Sequence, residues 1–390
     1  MTTDGTRARV TLLAHRIASP TATGIARYYV ELALALAANV ANGEDDHAYA
    51  IAATREPEQP TWLPPGMPHV VVPGPRKLVA GTLAVLGRPR LDRFLARPDV
   101  VHTLHPWTAT PTRAPLVTTV HDLMPIRHRD WYPRQESVMF GRGMAHTRAH
   151  AALVIANSEH TAAQLVERAG IERERIRVIH MAVSDRFRAR PDDAGVREVC
   201  ARYGVEAGRY LLHVGQVTTR KNLDVVLDAV ARLDPALLGS PILLCVGPRG
   251  VGAEAIDARV ARLGISDRVR FGGYAADADL PFLVHGAFAL VHPSRDEGFG
   301  FTPIEAMASG VPVVASASGS LPEVVGDGGV LVDPSDVDGW AGAVDRLARD
   351  PGHRAALVAR GDSRQERFRW DRVARDTAAV YDEVLTRASR

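Results

Sequence analysis

The sequence predicts an α/β protein built from two doubly wound, Rossmann-like domains facing a central cleft. Three observations lead there. At 390 residues the chain is too long for one ordinary core. Apolar runs of strand length alternate with helical stretches, which is the signature of a parallel sheet. The alternation occurs in two series, separated by a polar stretch, Ser184 to Gly195, that contains arginine and proline and reads as a linker.

Taken in order, Arg9 to His15 reads as a first buried strand. A loop from Arg16 to Thr23 follows, and Gly24 opens a helical pattern through about Ala41. Further strand-like runs lie at 49–53, 69–73, 100–104, 116–120 and 152–156. The second series starts with the strand Tyr210–Gln216. The helix Asn222–Leu233 comes next, its apolar residues at 223, 226, 227 and 230 falling on one face. Strands follow at 242–246, 268–272, 287–291 and 311–315, and an amphipathic helix runs from Trp370 to about Thr386. The expected division is 1–185, 186–368 and a terminal helix, 369–390.

Composition narrows the class. The chain is 46% hydrophobic and 24% charged, as globular proteins are. There is no run of about 18 apolar residues to cross a membrane, and Met1 to Arg7 lacks the apolar core of a signal peptide. Two cysteines, Cys200 and Cys245, argue against a disulfide framework and fit a reducing cytoplasm. A net charge of +2 argues against a nucleic-acid binder. The arginine-rich stretch Arg76 to Arg97 allows peripheral contact with an anionic membrane surface. Gly81, Gly87 and Pro89 interrupt it, which favours a solvated helix. No metal site is expected. His146 and His150 have the spacing of a helical metal face, but Thr147 and Arg148 lie between them and a cation there disfavours a metal. Asp277 and Asp279 precede a helical pattern at 280–286 and read as caps rather than as a metal motif.

The chemistry concentrates between Glu297 and Glu305, which enclose seven residues, Gly298 to Ile304. Thr302 reads as an N-cap, Pro303 as the first helical residue and Glu305 as the third after the cap, the spacing of a capping box. A glycine-rich turn at a helix N-terminus presents backbone N–H groups to an anion. With a carboxylate at each end, the segment suits a ligand that is anionic in the middle and hydroxylated at both ends, such as a nucleotide diphospho-sugar. Glu305 keeps two readings, ribose ligand or half of the capping box. After the strand that ends near Gly215, Arg220 and Lys221 put two cations beside a helix start, where a diphosphate would lie. Of 47 basic residues two are lysine, Lys77 and Lys221, and 45 are arginine, so a lysine kept at this position carries weight. His121 and Asp122 close the strand 116–120. His121 reads as a site residue and Asp122 as a cap on the next turn. Gly24 stands at the first strand-to-helix turn, but the Gly-x-Gly-x-x-Gly pattern of a dehydrogenase is absent.

These residues together resemble the retaining family-4 glycosyltransferases of the GT-B fold, along nearly the whole chain. The likeness rests on Thr23-Gly24-Ile25-Ala26-Arg27-Tyr28, Thr119 to Leu123, Val154 to Ser158, Arg220-Lys221-Asn222, Arg270 to Tyr274, Pro293-Ser294, the Glu297 to Pro312 signature and Leu321 to Val324. The resemblance implies that Glu297 accepts hydrogen bonds from donor-sugar hydroxyls and that Glu305 binds the ribose. It implies that Arg220 and Lys221 clamp the diphosphate, joined by backbone N–H groups of Phe301 and Thr302. Gly215, Gly298, Phe299 and Gly300 complete the donor loop. His121 would meet the sugar's far hydroxyl, Gly24 the leaving phosphate, and the terminal helix would pack back on the first domain. Two positions depart from the family pattern. Gln216 stands where many relatives carry arginine, and His180 to Ser184 replaces the usual Asn-Gly-Val-Asp turn.

The resemblance implies a cytoplasmic, retaining, metal-independent hexosyltransferase with no cofactor beyond its nucleotide-sugar donor. The first two of those motifs, Thr23 to Tyr28 and Thr119 to Leu123, look most like bacterial mannosyltransferases, which points to GDP-mannose. Three alternatives stand beside it: a UDP- or dTDP-sugar enzyme acting on a small natural product, a non-catalytic nucleotide-sugar-binding protein, and a sugar-nucleotide epimerase. The acceptor is expected to be a hydroxyl on a glycan, a lipid-linked sugar or a small molecule, bound by the first domain near Trp107 and Trp131 to Pro133.

Overall fold

The computed structural model describes residues 7–14, 24–54, 62–72, 90–95, 97–106, 110–238 and 242–389. Thr23, Lys77, Gly81, Gly87, Pro89 and Trp107, which enter the reading above, lie outside them. The chain divides into two units, Met1–Met181 with Trp370–Arg390, and Ala182–Arg369.

In the first unit the apolar runs become seven parallel strands: β1 (Arg9–Ala14), β2 (Ala48–Thr54), β3 (His69–Val72), β4 (Val100–Thr103), β5 (Leu116–Val120), β6 (Ala151–Ala156) and β7 (Ile176–Val178). Their spatial order is β3-β2-β1-β4-β5-β6-β7. Every residue of β4 and β5 is buried, as expected of parallel strands covered on both faces. Helices at Gly24–Ala41, Arg134–His150 and Glu159–Ala169 connect the strands. Leu13, Val101, Val120, Phe140 and Leu165 belong to one apolar core. The helix Trp370–Ala388 belongs to this unit as well. It packs along Gly24–Ala41 and against β4 and β6, burying Val373, Val380, Tyr381 and Val384. Each such apolar side chain contributes about 1.5–3 kcal/mol when fully buried.

The second unit carries six parallel strands: β8 (Leu211–Val214), β9 (Leu243–Val246), β10 (Val269–Gly273), β11 (Ala289–His292), β12 (Val313–Ser316) and β13 (Val330–Val332), ordered β10-β9-β8-β11-β12-β13. The direction of winding reverses between β8 and β11, which pair through Leu211 with Ala289 and Leu212 with Leu290. In open parallel sheets ligands bind beyond the carboxyl ends of the strands at such a reversal. One core joins Leu211, Val226, Val230, Ile256 and Trp340, and the Trp340 indole N–H donates to the Asp333 carbonyl at 3.1 Å.

Three expectations change. The stretch read as a linker, Ser184 to Gly195, is structured inside the second unit. It forms the turn Asp185–Phe187 and the start of the helix Asp193–Arg202, and Phe187 is fully buried with its carbonyl accepting from Ser309 Oγ at 3.0 Å. The strands β7 and β13 are absent from the sequence expectation, because three residues are too short to show a period. Asp279 does hold the N-cap position of the helix Leu280–His285, but its side chain does not cap. An αR backbone turns the carboxylate away, toward Arg202 Nη2 at 2.8 Å and Tyr203 OH at 3.1 Å.

Candidate active site

Two loops meet at the carboxyl ends of β8 and β11. The first leaves β8 through Gly215, whose N–H donates to the Val246 carbonyl, and tightens into a 3-10 turn, Thr219–Lys221. Asn222 follows with φ +54°, a left-handed conformation that asparagine tolerates. Its amide donates to the carbonyls of Pro293 at 3.1 Å and Pro334 at 2.7 Å. That bond, with Arg295 N–H donating to the Arg220 carbonyl at 3.1 Å, joins the first loop to the second.

The second loop, Pro293 to Gly300, carries Glu297. Its carboxylate lies against the Lys221 ammonium and 3.2 Å from Arg220 Nη1. Ser294 Oγ donates to it at 2.8 Å, and His292 Nε2 stands 3.2 Å away. Lys221 and Glu297 are little exposed, with 11% and 12% of their side-chain surface accessible. Their protonation follows from that. Burial alone would raise the Glu297 carboxyl, but Lys221 and Arg220 outweigh it and hold it well below the usual carboxylate range. Burial lowers the Lys221 ammonium more than Glu297 raises it, and Arg220 lowers it further. The two partners move for different reasons: the carboxylate has two cations, while the ammonium shares one carboxylate with a second cation. Burial also keeps His292 below its ordinary range and pushes His213, behind it on β8, down to about 3.

The backbone of this loop is held from β12. Gly319, at φ +59°, approaches so closely that a Cβ there would lie 2.7 Å from both the N and the O of Glu297. Ser320 Oγ donates to the carbonyls of Glu297 at 3.0 Å and Phe299 at 2.8 Å, and Ser318 Oγ to that of Ser294 at 2.8 Å. Phe299 is buried, edge-on to Phe301 and Phe368.

The helix after this loop starts earlier than expected. It spans Phe301–Ala308, with Gly300 as its N-cap at φ +104°. Thr302 is therefore the second helical residue and Pro303 the third, where proline is harmless because the first turn's N–H groups have no helical partner. Glu305 is the fifth, so the capping box with Thr302 does not form. The glycine explains the difference: a left-handed residue turns the chain into the helix two positions sooner. Glu305 is buried, with 3% exposure. Gly298, Phe299, Gly300, Phe301 and Thr302 thus form one segment leading into a helix N-terminus.

In the first unit His121 follows β5 and is buried. Its Nε2 donates to the Leu104 carbonyl at 3.0 Å, its Nδ1 has no hydrogen-bond partner, and burial pushes its pKa down to about 4. Tyr28 packs edge-on to it at 4.9 Å and His105 stacks at 5.9 Å. Asp122 accepts from Met124 N at 2.9 Å, as a cap does. Gly24, exposed, is the first residue of its helix. His146 and His150 lie side by side, ring centroids 4.5 Å apart, and among the described residues no cluster of three or more His, Cys, Asp or Glu is arranged to hold a metal ion.

Comparison with known proteins decides the family. Residues 22–187 match the family described as Glycosyltransferase Family 4, and residues 203–364 match Glycosyl transferases group 1. D-inositol 3-phosphate glycosyltransferase of Salinispora tropica is 35% identical over 335 residues, covering 80% of this chain and 69% of that one. The chain is a family-4 glycosyltransferase of the GT-B fold. O-antigen chain mannosyltransferase B of Escherichia coli is 30% identical over 265 residues, covering 68% of this glycosyltransferase and 69% of its relative. Two solved structures share the fold. Sucrose-phosphate synthase of Thermosynechococcus elongatus aligns with TM-score 0.74 at 21% identity, covering 98% of this chain and 100% of that one. HepE of Anabaena, solved with UDP and glucose, aligns with TM-score 0.72 at 19% identity, covering 97% and 100%.

Of the residues singled out in sequence, the structure of this glycosyltransferase brings Lys221, Arg220 and Glu297 into direct contact, with Gly215 and the Gly298–Thr302 segment on the two loops that carry them. His121 and Gly24 belong to the other unit. Five residues that touch the Glu297 loop are given no site role by the sequence: His292, Asn222, Ser318, Gly319 and Ser320. Two of them had a signal. His292 ends a strand and Asn222 follows the two cations, both at positions that point into a ligand site.

Proposed function

We propose that this glycosyltransferase moves a hexosyl group, with retention of configuration and without a metal, from a nucleoside diphosphate sugar to a hydroxyl. GDP-mannose is the first donor to test. The observation that carries the reading is the meeting of Lys221, Arg220 and Glu297 at the β8/β11 reversal, beside the N-terminus of the helix Phe301–Ala308. Without donor, Glu297 offsets part of the charge of the two cations, which keep a net positive charge between them. A diphosphate carries more negative charge than one carboxylate and competes for them. Lys221, Arg220 and the N–H groups of Phe301 and Thr302 then face the oxygens on which charge develops as the sugar leaves, where fixed donors act most strongly. Glu297, released, accepts from sugar hydroxyls, and Glu305 from the ribose. In the first unit, neutral His121 offers Nδ1 to a hydroxyl. The acceptor oxygen forms a bond to the anomeric carbon on the face from which the diphosphate departs. The carbon–phosphate-oxygen bond breaks, and the hydroxyl proton passes to the leaving phosphate.

The 30% identity to an O-antigen mannosyltransferase supports mannose. The 35% identity to D-inositol 3-phosphate glycosyltransferase favours a second acceptor class, a cyclitol phosphate. A panel of GDP, UDP, dTDP and ADP read by melting temperature tests the nucleotide, since a ligand of the native state raises the melting point. Transfer from GDP-mannose, with and without D-inositol 3-phosphate, tests sugar and acceptor. No shift with any of the four nucleotides would overturn the reading. Binding without turnover would mark a silent binding protein, and donor conversion without acceptor an epimerase.

A further inference from the structure

We propose that Glu297 meets the donor sugar through one oxygen, Oε2, and that His292 and Ser294 are positioning residues that hold the carboxylate by the other. The inference rests on the reading of Glu297 as the sugar-hydroxyl acceptor. All four described partners of the carboxylate converge on Oε1: the Lys221 ammonium, Arg220 Nη1 at 3.2 Å, Ser294 Oγ at 2.8 Å and His292 Nε2 at 3.2 Å. None of them reaches Oε2.

A carboxylate oxygen has two lone pairs, so four donors on Oε1 exceed what it accepts well, while Oε2 is left to the site. Arrival of a diphosphate resolves the excess, because it draws Lys221 and Arg220 away. Ser294 Oγ–H and His292 Nε2–H remain, one for each lone pair of Oε1. The His292 tautomer follows from its surroundings. Nδ1 is buried with no partner and Nε2 faces the carboxylate, so the neutral ring carries its proton on Nε2. Ser294 Oγ is nearer Glu297 than His292, 2.8 Å against 3.4 Å, so its single proton belongs to the carboxylate. The main chain is held as well, since Ser320 donates to the Glu297 carbonyl from its N–H at 3.1 Å and its Oγ at 3.0 Å, a close approach that Gly319 permits by lacking a Cβ. Oε2 then presents two acceptor lone pairs in one direction. That fits a sugar with two neighbouring free hydroxyls rather than one with a single free hydroxyl there.

The test compares binding of a nucleoside diphosphate with that of its sugar nucleotide by calorimetry, using GDP with GDP-mannose and UDP with UDP-glucose and following the pair that the unaltered enzyme binds. Ser294→Ala and His292→Leu are expected to leave nucleoside diphosphate affinity unchanged and to weaken the sugar nucleotide about tenfold, the value of one lost hydrogen bond near a charged group. His292→Gln, whose amide N–H replaces the Nε2–H, is expected to recover most of the loss. Equal weakening of both ligands, with no recovery in His292→Gln, would mark a merely structural role and overturn the inference. Glu297→Gln separates the two levels. If it weakens the sugar nucleotide while Ser294→Ala and His292→Leu do not, the positioning inference falls and the Glu297 assignment stands. If Glu297→Gln binds the sugar nucleotide normally, both fall. Should His292→Leu fail to fold, Ser294→Ala decides alone.

Discussion

Lys221 is one of two lysines in a chain with 45 arginines, and it is buried against the Glu297 carboxylate. Its replacement by alanine is expected to lower turnover by roughly two orders of magnitude, the usual cost of losing a donor that stabilises developing charge. Steady-state rates at saturating donor check this, and near-normal turnover would remove Lys221 from the clamp. The neighbouring Thr302 gives a different expectation. Loss of a true N-cap costs about 1 kcal/mol, but the helix begins at Phe301 behind Gly300, so Thr302→Ala should leave thermal stability essentially unchanged. A clear drop in melting temperature would restore the capping role that its sequence position suggested. At this scale the pattern of glutamates, glycines and cations was legible, because ligand chemistry demands those residue types. The ion cluster itself was not. Glu297 meets Lys221 across 76 positions of chain, and no local pattern reports which cations a carboxylate will touch.

Among the elements, the helix Trp370–Ala388 is tied to the first unit by more than apolar packing. Tyr381 OH lies 2.7 Å from His102 Nδ1, and His102 Nε2 lies 2.7 Å from Thr119 Oγ1 on β5. Arg177 also pairs with Glu383 on the helix. All three residues of the Tyr381–His102–Thr119 chain are buried, so Tyr381→Phe strands an imidazole nitrogen away from water. The expected cost is about 1–3 kcal/mol, seen as faster amide exchange in β4, β5 and this helix, with exchange in β8 to β13 unaffected. Equal loosening of both groups would show that the bond does not act locally. The long helices and the alternation of strands were readable, since periodicity survives in a single sequence. Element edges were less so. Helix Phe301–Ala308 begins early because one glycine adopts φ +104°, and β13 exists only because β12 offers it an edge to pair with. Both effects depend on backbone geometry and partners that sequence does not print.

For the molecule as a whole, acid should be more damaging than its near-neutral net charge suggests. Burial pushes His102 down to about 3, His121 to about 4 and His213 to about 3. Each folded value lies below the unfolded value of about 6.5. The unfolded chain therefore binds more protons as pH falls, and the stability these rings contribute is complete above about pH 6.5 and is lost toward pH 4, at about 1.4 kcal/mol per pH unit per ring. His47 runs the other way, since its hydrogen bond to Asp45 raises it, so it stabilises below its unfolded value. Burial lowers His146, His285 and His292 as well, so six described rings against one predict a net loss, which denaturant titrations at pH 7 and pH 5 would measure. A flat profile would contradict the buried neutral state of these histidines. The division of the chain into two units also governs its synthesis. The second unit is continuous, Ala182–Arg369, while the first needs residues 370–388 to cover the surface that Val380, Tyr381 and Val384 occupy. At 5–20 residues per second the ribosome takes roughly 10 to 40 s to pass from one to the other. The half made first is thus completed last, and for that interval the nascent chain presents an open apolar seam to whatever chaperones stand at the tunnel exit.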